Sequence, residues 1–151
     1  MTTSALTARI VVETTCAPEF IDITERVLEH VRSSGVKDGL VSVYSRHTTA
    51  AIKINEHEPL LLEDMADFLR RLAPPGAYYR HNDFDVRTVN MTEDECPNGH
   101  SHCQHLLLST SETLPIVDGE VPLGSWQRIF LIELDTYRPR PREILITCIS
   151  A

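Results

Sequence analysis

Histidine is the side chain best suited to change charge or bind a metal near neutral pH, and its seven copies here are unevenly placed. His47 stands in Ser45-Arg-His-Thr-Thr49, and His81 in Tyr78-Tyr-Arg-His-Asn82. Three more crowd into Cys96-Pro-Asn-Gly-His-Ser-His-Cys-Gln-His105. Each position is expected in a loop or at an element end, where functional groups are commonly mounted. Three neutral imidazoles with an open fourth position make a catalytic zinc-type site, and His47, His81 and His102 are the trio considered. Surface or capping roles are the ordinary alternative for each one. A self-contained zinc knot at 96–105 is disfavoured, because His102 and Cys103 are adjacent while structural sites draw on two separated pairs.

Carboxylates form the second group. Glu56 follows Ile54-Asn55 shortly after His47, and Asp64 falls one turn into a helical pattern beside Leu60, Leu61 and Phe68. An apolar stripe next to a carboxylate favours its protonated form and suits it to proton transfer. A solvated face formed by Glu63, Asp64 and Asp67 is the plainer alternative. Gly124-Ser-Trp-Gln127 adds the only tryptophan at a strand start, either as core or as the wall of a pocket. No GxSxG, HExxH, Walker or GxGxxG pattern is present, so those mechanisms have no support.

The elements that must hold these residues follow from pattern. Ala8–Thr14 is short, β-branched and strand-like. Asp22 and Glu25 have capping-box spacing ahead of Ile23, Val27 and Val31, and Gly35 offers a stop. Leu40–Tyr44 alternates as a strand, and Ala51–Ile54 is expected to continue it beyond Arg46–Thr49. Pro59 opens a second helix carrying Leu61, Leu62, Met65, Phe68, Leu69 and Leu72, and Pro74-Pro75-Gly76 ends it. Residues 77–100 read as one long polar loop, with Ser101 and Gln104 capping a short helix. Strands are expected at Thr113–Val117, Val121–Leu123, Trp126–Leu134 and Ile144–Ile149, with a hairpin turn at Asp118-Gly119. The expected fold class is α+β: one compact domain over 1–151, with mixed or antiparallel sheets packed against two or three helices.

Composition narrows the partners. The chain has 151 residues and a net charge of −8, which argues against wrapping nucleic acid, where affinity comes from neutralising phosphates. No apolar run approaches membrane-spanning length, and Met1-Thr-Thr-Ser-Ala-Leu6 lacks a signal-peptide pattern, so a cytoplasmic protein with no membrane partner is expected. Cys16, Cys96, Cys103 and Cys148 are scattered and expected to be reduced thiols.

In order and spacing, His47-Thr-Thr-Ala-Ala51, Ile54-Asn-Glu56, Asp64, Tyr79-Arg-His-Asn82 and Asn98-Gly-His-Ser-His102 resemble the YjbQ family. Ser111–Ile116, Asp118-Gly119, Leu123-Gly-Ser-Trp-Gln127 and Glu133-Leu-Asp135 look like its C-terminal signature. The likeness runs from about residue 7 to 150. It implies a homotrimer with a secondary thiamine-phosphate synthase activity, joining a pyrimidine diphosphate to a thiazole phosphate with release of pyrophosphate. It also implies that His47, His81 and His102 bind a divalent metal, of zinc or magnesium type, while His100 and His105 lack firm counterparts. Glu56 and Asp64 then take the catalytic positions. Thr48, Thr49, Asn55, Asn82, Asn98, Gly124, Trp126 and Gln127 fall on positions for binding a small phosphorylated substrate, with Arg46 or Arg80 near the departing pyrophosphate. Arg138-Pro-Arg-Pro-Arg142 is longer than the family's arginine segment, so none of its arginines is matched. A metal-dependent hydrolase of a small phosphorylated or carbonyl substrate, and a non-catalytic metal-binding trimer, are the two rival readings.

Overall fold

Two antiparallel sheets and three helices make up the fold. A computed structural model describes residues 5–151; residues 1–4 of the stretch read for a signal-peptide pattern lie outside them. The first sheet has the order β1 (Ala5–Val12), β7 (Arg142–Ser150), β3 (Gly39–Ser45), β5 (Ser111–Ile116). The second has β2 (Glu19–Asp22), β6 (Arg128–Glu133), β4 (Ala50–Asn55). Every pairing is antiparallel.

The inner faces of the two sheets meet in the main core. Val41 and Val43 of β3, with Ile144, Ile146 and Cys148 of β7, alternate inward as period-2 patterning dictates. They pack with Ala50 and Ile52 of β4 and with Ile129 and Leu131 of β6. Helix α1 (Thr24–Ser34) adds Val27 and Val31 to this core. β6 is also buried on its other face, where Phe130 and Ile132 join Leu69 of α2 (Pro59–Leu72). That double burial explains why Ile129-Phe-Leu-Ile132 is a continuous apolar run instead of an alternating one.

Several local expectations change. Ala51–Ile54 lies in β4, which does not prolong β3: the chain turns at 46–49 and crosses to the other sheet. The turn places apolar side chains of both strands in the same core, which a single longer strand could not do. β2 was not expected; it has four residues, with no room for a clear alternation. The Asp22–Glu25 capping box does not form. Asp22 accepts from the adjacent Thr24 N–H at 3.0 Å, and Arg128 draws in both carboxylates. Ser101 and Gln104 are not caps either. They lie inside α3 (Gly99–His105), where Ser101 donates to the Leu134 carbonyl at 2.7 Å and Gln104 donates to Leu69 and Ala73 carbonyls. Asp118-Gly119 does make the expected two-residue turn, both with positive φ. Val121–Leu123, however, is not a strand, and pairing ends at the Val117–Glu120 bridge. Glu58 caps α2 through bonds from Leu60 and Leu61 N–H, with Pro59 in the first turn. Among the described residues no helix is long and apolar enough to cross a membrane.

Candidate functional site

The corner between the sheets builds a pocket. His47 lies just after β3, and α3 brings His102, Cys103 and His105 to the same depression of about 400 Å³. Arg46, Thr48 and Thr110 also line it, and no carboxylate does. Gly99 lets α3 approach closely: a Cβ there would stand 2.7 Å from Tyr79 Cβ, inside contact distance. That approach sets a 3-10 turn (Arg80–Asn82) against α3, with the His81 and His102 ring centroids 4.7 Å apart. Asn82 secures the contact by accepting from the Gly99 N–H at 2.8 Å.

Close to His47, behind the pocket, lies a charged pair closed off from solvent. Arg142 and Glu133, both fully buried, form a two-pronged ion pair through Nε–Oε2 and Nη2–Oε1. Thr49 accepts from Arg142 Nη2 at 3.0 Å, and Thr14 donates to Glu133 at 2.8 Å. Arg142 Nη1 is buried without a partner among the described residues. Beside this pair, burial works to raise the Asp135 carboxyl. Bonds from Asn98, Arg140 and the Arg138 N–H outweigh it and hold the carboxyl below its usual range.

These surroundings disfavour the charged form of four histidines. Burial lowers the pKa of His47, and the cationic Arg142 and Arg140 lower it further. Burial also lowers His102, assisted by nearby His81, and it lowers His100 and His105 as well.

Hydrogen bonding decides what each ring offers. His47 Nε2 accepts the Glu143 N–H at 2.8 Å, so the neutral ring carries its proton on Nδ1 and presents a donor. Arg87 Nη1 donates toward His81 Nε2 at 3.2 Å, which places the His81 proton on Nδ1 as well, because a guanidinium never accepts. Three free lone pairs aimed at one point are therefore not on offer from His47, His81 and His102. Among the described residues no group of three or more His, Cys, Asp or Glu is arranged to hold a metal ion. As folded, the trio does not fit a three-histidine metal centre. What His47 presents instead is a hydrogen-bond donor, its Nδ1–H.

The remaining expected site residues fall elsewhere. Glu56 borders a second depression of about 420 Å³ with Trp126, His57, Asp22 and Arg128. Asn55 sits at the same end of β4, paired with Arg128 and donating to Met65 Sδ at 3.2 Å. Gln127 folds back onto its own loop, accepting from the Gly124 N–H at 2.8 Å. Asp64 lies exposed on α2 beside Asp67 and Arg70, in neither depression. Thr49, Asn82 and Asn98 shape the pocket from behind, while Thr48 lines it. Sequence reading missed Arg87, Glu133, Asp135 and Arg142 as organising residues. The arginine-rich run ending in Arg142 was the available signal.

A two-sheet α+β sandwich with a neutral histidine pocket at one corner defines the class of protein. The sequence profile described as UPF0047 protein YjbQ-like matches residues 8–151, so the chain belongs to the YjbQ/UPF0047 family. A UPF0047 protein of Methanothermobacter thermautotrophicus is 41% identical over 129 residues, covering 85% of this chain and 81% of its own. A YbjQ-like protein of unknown function from Sulfolobus solfataricus superposes with a TM-score of 0.87 at 31% identity, covering 99% of this chain and 100% of its own. A hypothetical protein from Aeropyrum pernix gives 0.83 at 35% identity, covering 97% and 99%.

Proposed function

We propose that the histidine pocket binds the phosphate of a small phosphorylated substrate, and that the chain carries out a thiamine-phosphate synthase-type transfer. The observation that carries this reading is the donor set: His47 Nδ1–H and the Thr48 and Thr110 hydroxyls line one pocket with Arg46, whose guanidinium is shared with Glu143. Donors fixed in place before an anion arrives stabilise the charge that develops on a departing pyrophosphate. In the transfer, the thiazole nitrogen forms a bond to the pyrimidine methylene carbon. The carbon–oxygen bond breaks, and its electron pair leaves with pyrophosphate. The chain's part is to orient the two ligands and hold that leaving charge.

The working unit in this reading is a homotrimer. Leu60, Phe68 and Leu72 of α2 and Leu106 and Leu107 just after α3 are exposed, apolar surface that neighbouring copies would cover.

The test is direct. Purified protein given pyrimidine diphosphate and thiazole phosphate is expected to yield thiamine phosphate and pyrophosphate in equal amounts, and His47→Ala to lose the product. Product formation that is absent, or unchanged in His47→Ala, refutes the synthase reading. Hydrolysis of a panel of small phosphate esters at far higher kcat/KM by the same preparation selects the hydrolase instead.

A further inference from the structure

The sequence marks one set of polar residues, and the fold separates it into two. His47 and the pocket lie beyond the Ala50 end of β4, whereas Glu56 and Trp126 lie beyond the Asn55 end. Five residue steps of strand span about 17 Å, too far for one small phosphorylated ring compound to touch both within a chain.

Each end is also incomplete in a complementary way. The histidine pocket offers three imidazoles and Arg46, whose guanidinium is shared with Glu143. The far depression offers the Glu56 carboxylate, while Asp22 there is bonded to Arg128 and His57, and Glu25 is paired to the same arginine just outside. Trp126 stands over it with 73% of its surface exposed, an unusual state for the largest aromatic side chain unless something covers it. One end donates to anions. The other offers an aromatic face and a carboxylate, which together suit a cationic or electron-poor ring.

We infer that the working site is composite: the Trp126–Glu56 corner of a second copy of this chain closes over the histidine pocket of the first. The substrate it encloses is a phosphorylated heteroaromatic, its phosphate at His47 and Arg46, its ring on the second copy's tryptophan. Two different surfaces meet in such a contact, so the assembly is head-to-tail and closes as a ring. The inference rests on the phosphate-binding and self-assembly readings above and adds which surfaces meet.

A chain with Trp126→Cys, Cys16→Ser and Cys96→Ser keeps Cys103 in the pocket and puts a second thiol at the opposite corner, too far off to pair with it inside one chain. Light scattering gives the oligomeric state, and mild oxidation followed by a non-reducing gel shows whether copies are joined. Oligomers that cross-link are expected, with the cross-link lost on Cys103→Ser. Oligomers that do not cross-link overturn the composite site and leave self-assembly standing, while monomers overturn both. No substrate is present, so the result is independent of the phosphate reading. As a second measurement, inactive His47→Ala and Trp126→Ala chains are unfolded, mixed equally and reassembled. About one quarter of wild-type activity is expected, the fraction of randomly formed contacts that join two intact halves. No recovery from a mixture that reassembles overturns the inference.

Discussion

His47 Nε2 accepts a hydrogen bond from the Glu143 backbone N–H at 2.8 Å, tying the corner after β3 to the start of β7. That bond, more than the identity of the ring, determines that the pocket receives an N–H from His47. Glutamine can accept from the same amide and donate outward. His47→Gln is therefore expected to hold inorganic phosphate or pyrophosphate within about threefold of wild type. His47→Ala loses one charge-assisted bond, about tenfold or more. Titration calorimetry of both variants checks this, and equal losses would sink the donor role.

Arg87 occupies the His81 lone pair while also pairing with Glu95 at 2.8 Å and donating to the Asn90 carbonyl. Arg87→Ala is expected to release His81 and the segment 87–95 from each other and to speed backbone hydrogen exchange there, with little change in global stability. Hydrogen-exchange mass spectrometry measures it. Unchanged exchange would show that Arg87 does not hold the segment.

The buried pair Glu133–Arg142 predicts a stability effect. Arg142→Met leaves an ionised or newly protonated Glu133 without its partner and is expected to cost about 3–5 kcal/mol. Urea unfolding of Arg142→Met and of the double variant with Glu133→Leu distinguishes the cases. The double variant is expected to recover part of the loss, since no buried charge is left alone.

Acidification should act in two stages. The folded-state pKa values of His47, His100, His102 and His105 are lowered, so the unfolded chain binds protons first as pH falls. Their contribution is complete above the unfolded value of about 6.5 and is lost progressively below it. Asp22 and Asp135, also lowered, extend the loss below about pH 4. Chemical denaturation from pH 8 to pH 3 is expected to show a plateau and then a continuing fall. A maximum near pH 5 would contradict the neutral-histidine pocket.

Gly99→Ala tests the contact that joins His81 to His102. The added methyl meets Tyr79 and must push the 3-10 turn away from α3, at about 1–3 kcal/mol. His81 and His102 are expected to lose their mutual ring-current shifts in the NMR spectrum.

Helices α1 and α2 were legible because their apolar residues repeat at helical spacing and their ends carry Gly35 and Pro59. The antiparallel α+β class followed from strands bracketing those helices. The crossing at 46–49 was not legible: a polar interruption within a strand-like run looks the same whether the chain continues or changes sheets. Ser101 and Gln104 looked like caps because their types suit caps. Tertiary acceptors at Leu134, Leu69 and Ala73 claimed them instead. Within the site, His47 and His102 line one pocket, whereas Glu56 and Trp126 line another. Spacing along the chain does not say which end of a strand a neighbour will face. Arg142 escaped because full burial of an arginine depends on a partner nine residues away, on the other sheet.

The buried ion pair and the loop near His81 are secured by different means. Glu133 belongs to one sheet and Arg142 to the other, so parting them requires the sandwich itself to come apart. The segment at 83–97, which carries the Arg87 bond to His81, is secured nearer the surface by Arg87 to Glu95 and Asn90 and by Arg138 to Asp94, so it opens at lower cost. Inherited or engineered changes will therefore divide by phenotype. Substitutions at the pair will appear as missing protein in the cell, and substitutions in the segment as normal amounts of a protein that works poorly.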